Sequence, residues 1–218
     1  MEEGWTIKKI DLLVIAAILI AFISFVVIKD RETLPSRKFC MAVHQNDINT
    51  INELLDRNWN VNAYSNLIFF PIAELNVRYL PLNEACLYSS SAVVEKLLMK
   101  GANPNGGIYK SGWSPVSCAF LRARHNGYLE TKMKLKLLIE YGADLTLLEG
   151  RFKPTSLLSL VIFDDTSEQD KEIVVEMLKL MLDNGAVYDE EEMEKALKKV
   201  DMDWAFEYLM EGRTPTNG

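Results

Sequence analysis

Histidine and cysteine are the residues in this chain of 218 that could most readily hold a metal or act as a nucleophile, and both are few. The two histidines, His44 and His125, have no carboxylate or cysteine at metal-ligand spacing, and neither lies in an HExxH or GxSxG motif. This pattern favours solvent-exposed turn residues over catalytic ones. Cys40, Cys86 and Cys118 are too far apart for a paired zinc motif or a disulfide framework, so we expect small buried side chains.

Two segments resemble ligand-binding loops without completing the motif. Gly101–Gly107 reads GANPNGG, which is rich in glycine but lacks the Lys-Ser/Thr pair of a phosphate-binding loop. Asp164–Asp170 could hold calcium, yet it lacks the central glycine and distal glutamate of an EF-hand loop. We therefore expect no catalytic residue, no metal and no cofactor, and the chain is predicted not to be an enzyme. An active site assembled across distant residues is the remaining catalytic alternative.

Charge is distributed unevenly along the chain, whose formal net charge is −7. Residues 140–218 contain 8 Lys and Arg against 19 Asp and Glu, whereas residues 1–139 contain 16 against 12. An acidic C-terminal half repels phosphates, which disfavours nucleic acid as the partner. A protein partner with a basic face fits it better, because opposite charges speed encounter. An acidic surface that serves solubility is the open alternative.

An apolar run lies near the N-terminus. Residues 12–28 read LLVIAAILIAFISFVVI, in which Ser24 is the only polar residue. A helix of this length approaches the thickness of a bilayer core, and no small-x-small cleavage site follows it. The sequence therefore predicts an uncleaved transmembrane anchor instead of a signal peptide or a core helix. Four basic residues follow the run and two precede it, a count that favours a main domain on the inside, whereas a short basic tail before an apolar run favours the outside. We expect a bacterial inner-membrane protein whose main domain lies on the periplasmic side.

From residue 37 onward a repeated pattern occupies the chain. Leu80–Asn105 reads LPLNEACLYSSSAVVEKLLMKGANPN, with a Pro-Leu pair, an alanine, paired leucines and a Gly-Ala-Asn exit. The interval of 16 residues from Ala85 to Gly101 recurs from Ala42 to Asn58 and from Ala196 to Gly212. Partial copies contain Ser114-Pro115, Ala119, Leu137-Leu138 and Gly142, and then Thr155, Leu178, Leu182 and Gly185. Such self-similarity is typical of solenoid proteins.

This pattern resembles the ankyrin-repeat family over residues 37–212. The resemblance implies an all-α solenoid of about five divergent helix-turn-helix repeats, preceded by one transmembrane helix. The predicted divisions are a short tail (1–11), the anchor (12–28), a linker (29–36), the repeat domain (37–212) and a tail (213–218). Each glycine after a helical run is expected to form a left-handed C-terminal cap, with Asn58 replacing glycine in the first repeat.

Ankyrin-repeat proteins bind other proteins through finger tips and the inner helices of a concave face. The resemblance therefore implies partner-binding residues in three fingers and one inner helix: Tyr64, Phe69, Phe70, Tyr79, Ile108, Tyr109, Trp113, Arg122 and Phe152. For Phe69 and Phe70, a small core of their own beneath a long loop is the alternative. The chain also resembles membrane-anchored immunity proteins of type VI secretion effectors, which implies neutralisation of a toxin. A scaffold that tethers an endogenous enzyme to the membrane is the alternative function.

Overall fold

A computed structural model describes residues 9–66, 78–107, 114–148, 154, 158, 161–163 and 165–211, with only the backbone described at 9–13, 25–33, 65–66 and 78–79. The described part is helical apart from one short strand pair. Its helices are α1 (Lys9–Gln45), α2 (Ile48–Asp56), α3 (Pro81–Tyr88), α4 (Ser91–Met99), α5 (Pro115–Leu121), α6 (Ala123–Asn126), α7 (Tyr128–Glu140), α8 (Glu168–Asp183), α9 (Glu190–Lys199) and α10 (Ala205–Met210). Strands β1 (Ser65–Asn66) and β2 (Arg78–Tyr79) pair antiparallel.

Consecutive helices form hairpins, and the hairpins stack side by side. The end of α1, α3 and α5 form an inner row, while α4, α7 and α8 form an outer row. At one end, Lys96 of α4 donates to the Asn52 side chain of α2 at 3.3 Å. At the other end, α9 and α10 form the last hairpin, and α10 packs on α8. The all-helical part of the predicted fold class is confirmed.

Helix starts follow from the capping residues. Ser114 accepts a hydrogen bond from the Ser117 amide at 3.2 Å, and Pro115 occupies the first helical position, where its missing N–H costs nothing. Asp47, Ser167 and Asp189 cap α2, α8 and α9 in the same way. Ser114 therefore caps α5.

Three helices end in the predicted left-handed glycine cap. Gly101, Gly142 and Gly185 have φ of 82°, 89° and 89°, a conformation that costs other residues roughly 1–2 kcal/mol. Each cap is closed by an amide one residue later, as where Ala102 donates to the Leu97 carbonyl at 3.0 Å. The glycines are therefore required by the backbone.

The predicted left-handed cap at Asn58 is wrong. The chain leaves α2 one residue earlier, because Arg57 already has an extended ψ of 155°. The indole N–H of Trp59 then donates to the Leu54 carbonyl at 2.8 Å and satisfies the helix end. At the end of α9, Asp201 adopts the left-handed conformation with φ of 53°, and Gly212 lies outside the described residues.

Two asparagines join neighbouring repeats through the same pair of hydrogen bonds, which we name the asparagine clasp. The side-chain amide of Asn62 donates to the backbone carbonyl of Gly101 and accepts from the backbone N–H of Asn103, both at 2.8 Å. Asn105, in the following repeat, donates to the Gly142 carbonyl at 2.9 Å and accepts from the Asp144 amide at 2.7 Å. Successive repeats therefore meet in the same register.

One continuous apolar core runs between the two rows of helices. Most leucines of the helical hairpins are buried in it, namely Leu54, Leu55, Leu97, Leu98, Leu138, Leu178 and Leu182, whereas Leu137 is half-buried. The predicted cysteine burial is confirmed at all three positions. In α9, Met193 and Leu197 are buried while Glu191, Glu192 and Lys195 are exposed, so the last hairpin has one apolar and one solvated face.

The predicted transmembrane anchor over residues 12–28 is contradicted. Among the described residues, no helix is both long enough and apolar enough to cross a membrane. The chain then continues as α1 through Lys29 and Asp30 to Gln45, so the predicted linker over 29–36 is also helical. The predicted location, a single-pass membrane protein with its main domain on the periplasmic side, depended on this anchor and is contradicted as well.

Candidate functional site

Most of the predicted binding residues lie outside the described part of the chain: Phe69, Phe70, Ile108, Tyr109, Trp113 and Phe152. Tyr64 is half-buried just before β1, and Tyr79 lies in β2 opposite Ser65, so both belong to the base of the first finger. Arg122 is half-buried and ends α5. Arg122 contacts Tyr88 of α3, which the sequence analysis did not single out.

Four side chains meet where the inner helices end. We name His44, Glu84, Tyr88 and Arg122 the inner-turn cluster. The ring centroids of His44 and Tyr88 are 4.5 Å apart, and the Arg122 guanidinium carbon lies 4.5 Å from the Tyr88 centroid. The contacts therefore join three successive repeats through one tyrosine.

Glu84 lies one helical turn before Tyr88 on the same side of α3. Its carboxylate Oε2 is 2.6 Å from His44 Nε2, and its side chain is 0% exposed. The two groups are at ion-pair distance, but no aligned hydrogen bond reaches either carboxylate oxygen from the described residues. A buried carboxyl group is thus held against an imidazole that is itself 39% exposed.

The cluster favours neutral groups at both members of this pair. Burial raises the pKa of Glu84 from 4.5 to about 7, because the charged carboxylate loses its hydration. Burial also lowers the pKa of His44, and the positive charge of Arg122 lowers it further. Both shifts act in the same direction: the carboxyl holds its proton and the imidazole does not.

Arg122 is stacked but has no carboxylate partner among the described residues. Its Nε is buried and lacks an acceptor there. Two other arginines are paired with carboxylates. Arg57 pairs with Glu53, and Arg124 Nη2 lies 2.5 Å from Asp165 Oδ2. Within the described part of the chain, no carboxylate therefore balances the charge of the stacked guanidinium.

A second buried cation is structural. Lys134 of α7 is fully buried, and its Nζ donates to the Cys86 carbonyl at 3.0 Å, in the last turn of α3. Burial lowers the pKa of Lys134. The amine satisfies a carbonyl that the helix end leaves unpaired, and a cation there also fits the helix dipole.

The nearby thiols are unsuited to nucleophilic chemistry. Burial raises the pKa of Cys86 to about 12 and also raises that of Cys118, so the thiolate form is suppressed. No group of three metal-ligating side chains occurs within the described ranges. The arrangement as described is suited to recognition through an aromatic ring and a guanidinium group.

His44 is exposed, as the sequence predicted, and lies at the end of α1. It also contacts Glu84, which is forty residues further along the chain. His125 is exposed as predicted. The available signal was a glutamate between Leu82 and Ala85, in an inner helix whose other residues are apolar or small.

Searches against family models and against curated protein sequences both found no match to this chain.

Proposed function

We propose that this chain is an ankyrin-type repeat protein that binds a protein partner and does not catalyse a reaction. The observation that supports the repeat assignment is the asparagine clasp, which recurs in the same register between the first and second and between the second and third repeats. Stacked repeats of this kind present long surfaces made of equivalent positions, which suit protein recognition.

The inner-turn cluster is the best-defined part of that surface. Tyr88 is 37% exposed, and it holds the Arg122 guanidinium over its ring. Tyrosine and arginine are common among the residues that dominate binding energy at protein interfaces. Because each comes from a different repeat, a partner that touches both also bridges the repeats.

The far end of the array supports a basic face on the partner. The first turn of α9 contains Glu190, Glu191 and Glu192, and residues 140–218 carry a net charge of −11. An acidic surface of this kind favours a basic face on the partner, because complementary potentials steer the encounter. We propose on this basis that binding neutralises the partner, as an immunity protein neutralises a toxin.

Affinity capture with the full chain, followed by reconstitution from purified components, tests this proposal. We expect one stoichiometric protein partner, whose binding weakens by roughly tenfold or more between low and high salt because exposed charges are screened. A variant with Glu191→Gln and Glu192→Gln should reduce that salt dependence, while Glu53→Gln and Asp56→Gln, in α2 of the first repeat, should leave it unchanged.

Two results would contradict the proposal. Failure to reconstitute a stoichiometric complex would remove the binding function, and affinity that does not change with salt would remove the basic face from the description of the partner.

A further inference from the structure

We propose that Arg122 binds a carboxylate of the protein partner, and that Tyr88 is the platform that orients the guanidinium for it. This inference rests on the proposed function and adds the chemistry of one contact. The carboxylate is an Asp or Glu side chain of the partner, which reaches the ends of the inner helices.

The first argument is the missing acceptor. Arg57 and Arg124 each contact a carboxylate of this chain, whereas Arg122 contacts a ring and leaves its Nε without an acceptor among the described residues. The buried Nε is out of a partner's reach, so the terminal nitrogens of the guanidinium, which are not among the buried unpartnered atoms, are the donors that a partner carboxylate contacts. A carboxylate matches the planar fork of a guanidinium better than a single neutral acceptor does.

The second argument is that the acid of the cluster does not neutralise Arg122. Glu84 is fully buried and lies against His44, and burial raises its pKa to about 7. It is therefore partly protonated at neutral pH. Burial is the first cause of the lowered pKa of His44 and the charge of Arg122 is the second, so this charge acts on the cluster.

The third argument is preorganisation. Stacking over Tyr88 at 4.5 Å holds the guanidinium in place before the partner arrives, so less side-chain entropy is lost on binding. The ring is itself held by contact with His44. Arg122 in the third repeat requires an acidic group on the partner, and the acidic surface of the fifth repeat requires a basic one. This order of charges sets the orientation of the partner.

A titration that needs no partner tests the contact. The full chain is labelled with ¹⁵N, and the arginine Nε–Hε resonances are followed while the blocked peptide acetyl-Gly-Gly-Glu-Gly-Gly-amide is added. The Gln-containing peptide of the same length is the matched probe. We expect a saturable shift at Arg122 with the Glu peptide, an effect weaker by roughly tenfold or more with the Gln peptide, and small shifts at Arg57 and Arg124.

Variants separate the platform from general effects. Arg122→Gln and Tyr88→Ala should each weaken binding of the Glu peptide by roughly tenfold, measured at the neighbouring backbone amides. Tyr141→Ala removes a ring of similar exposure, 39% against 37%, and should leave peptide binding unchanged. Tyr88→Phe keeps the ring and should bind like the parent, which excludes misfolding as the cause.

Equal shifts at all three arginines, or equal response to both peptides, would overturn the inference. This outcome leaves the proposed function intact, because a protein partner could still be captured and reconstituted. Conversely, a specific carboxylate response with no protein partner would remove the proposed function and keep the site.

Discussion

Glu84 is a buried acid whose protonation is linked to folding. Its pKa of about 7 in the folded chain exceeds the value of 4.5 expected when the chain is unfolded. Between these two values the folded protein binds more protons than the unfolded chain, so the free energy of unfolding falls as the pH rises. The lowered pKa of His44 acts in the opposite direction and offsets part of this fall as the pH rises through the range below 6.5.

Glu84→Gln should remove the contribution of this carboxyl group to the pH dependence of the free energy of unfolding. We expect the stability of the parent, measured relative to this variant, to fall by about 2–3 kcal/mol between pH 4.5 and pH 8. Urea denaturation at several pH values measures the difference.

Parallel pH profiles for the two proteins would contradict a raised pKa at Glu84. As a control, Glu53→Gln in α2 changes an exposed acid that pairs with Arg57 on the same helix. It should shift stability little, because exposed pairs contribute about 0–1 kcal/mol.

Residue contacts of this kind were the least predictable part of the molecule. His44 and Glu84 belong to different repeats, and their approach depends on the stacking of α1 against α3. Buried cysteines were predictable, because their number and spacing excluded the alternatives. The burial of Lys134 was not, since lysine is almost never fully buried unless a partner is available, and its partner is a backbone carbonyl of another repeat.

At the scale of elements, the asparagine clasp stops after the third repeat. Thr146 occupies the position equivalent to Asn62 and Asn105, and its hydroxyl donates to Asp144 at 2.6 Å within its own turn. Gly185 and Val187 lie 39 and 41 residues beyond Thr146, the same intervals that separate Asn62 from Gly101 and Asn103. The groups that a further clasp needs are therefore in register.

Thr146→Asn should create that clasp, in which the new side-chain amide donates to the backbone carbonyl of Gly185 and accepts from the backbone N–H of Val187. We expect stabilisation of about 0.5–1.5 kcal/mol, since two hydrogen bonds form at an exposed site. Thermal or urea denaturation measures the change. Asn105→Ala should destabilise by a similar amount.

Thr146→Asp is the matched control, because it offers acceptors but no donor for the Gly185 carbonyl. It should not stabilise the chain. If Asn and Asp at this position give equal stability, the clasp does not form there.

Element ends were predictable where one residue type has no substitute. Glycine at Gly101, Gly142 and Gly185 is required by φ near +85°, and its place after a helical run indicates the cap. The end of α2 was not predictable in this way, since the Trp59 indole reaches back to the Leu54 carbonyl. A local pattern does not reveal a cap supplied by a side chain five residues away.

For the whole molecule, the continuous core predicts a single cooperative unit. Leu197 of the last hairpin is fully buried, and its replacement by alanine should cost about 2–5 kcal/mol. Tryptophan fluorescence can be read at both ends of the array, at Trp59 and at Trp204, in variants that keep one tryptophan each. We expect Leu197→Ala to lower both denaturation midpoints equally.

A midpoint that moves only at Trp204 would show that the repeats unfold in parts. The parent with each single tryptophan supplies the reference, and Val187→Ala, an exposed change before the last hairpin, is the control for surface effects. Coincident curves in the parent and separate curves in the variant would locate the boundary of the cooperative unit.

The repeated array was predictable because it depends on spacing, which survives where individual motif residues change. The anchor was predicted from composition alone, and composition does not show where a helix ends. α1 continues past the apolar run into charged residues and supplies the inner helix of the first hairpin. Continuity of one helix through two segments of different composition was the property that the pattern did not indicate.

Cys40, Cys86 and Cys118 lie one in each of the first three inner helices, and all three are buried and outside any disulfide. A thiol-modifying reagent therefore reacts with a given repeat only after that repeat opens, because burial withholds all three thiols from solvent and also raises the pKa of Cys86 and Cys118. Each of three neighbouring repeats thus contains one thiol whose rate of labelling reports local opening, and the order of labelling gives the order in which the repeats open.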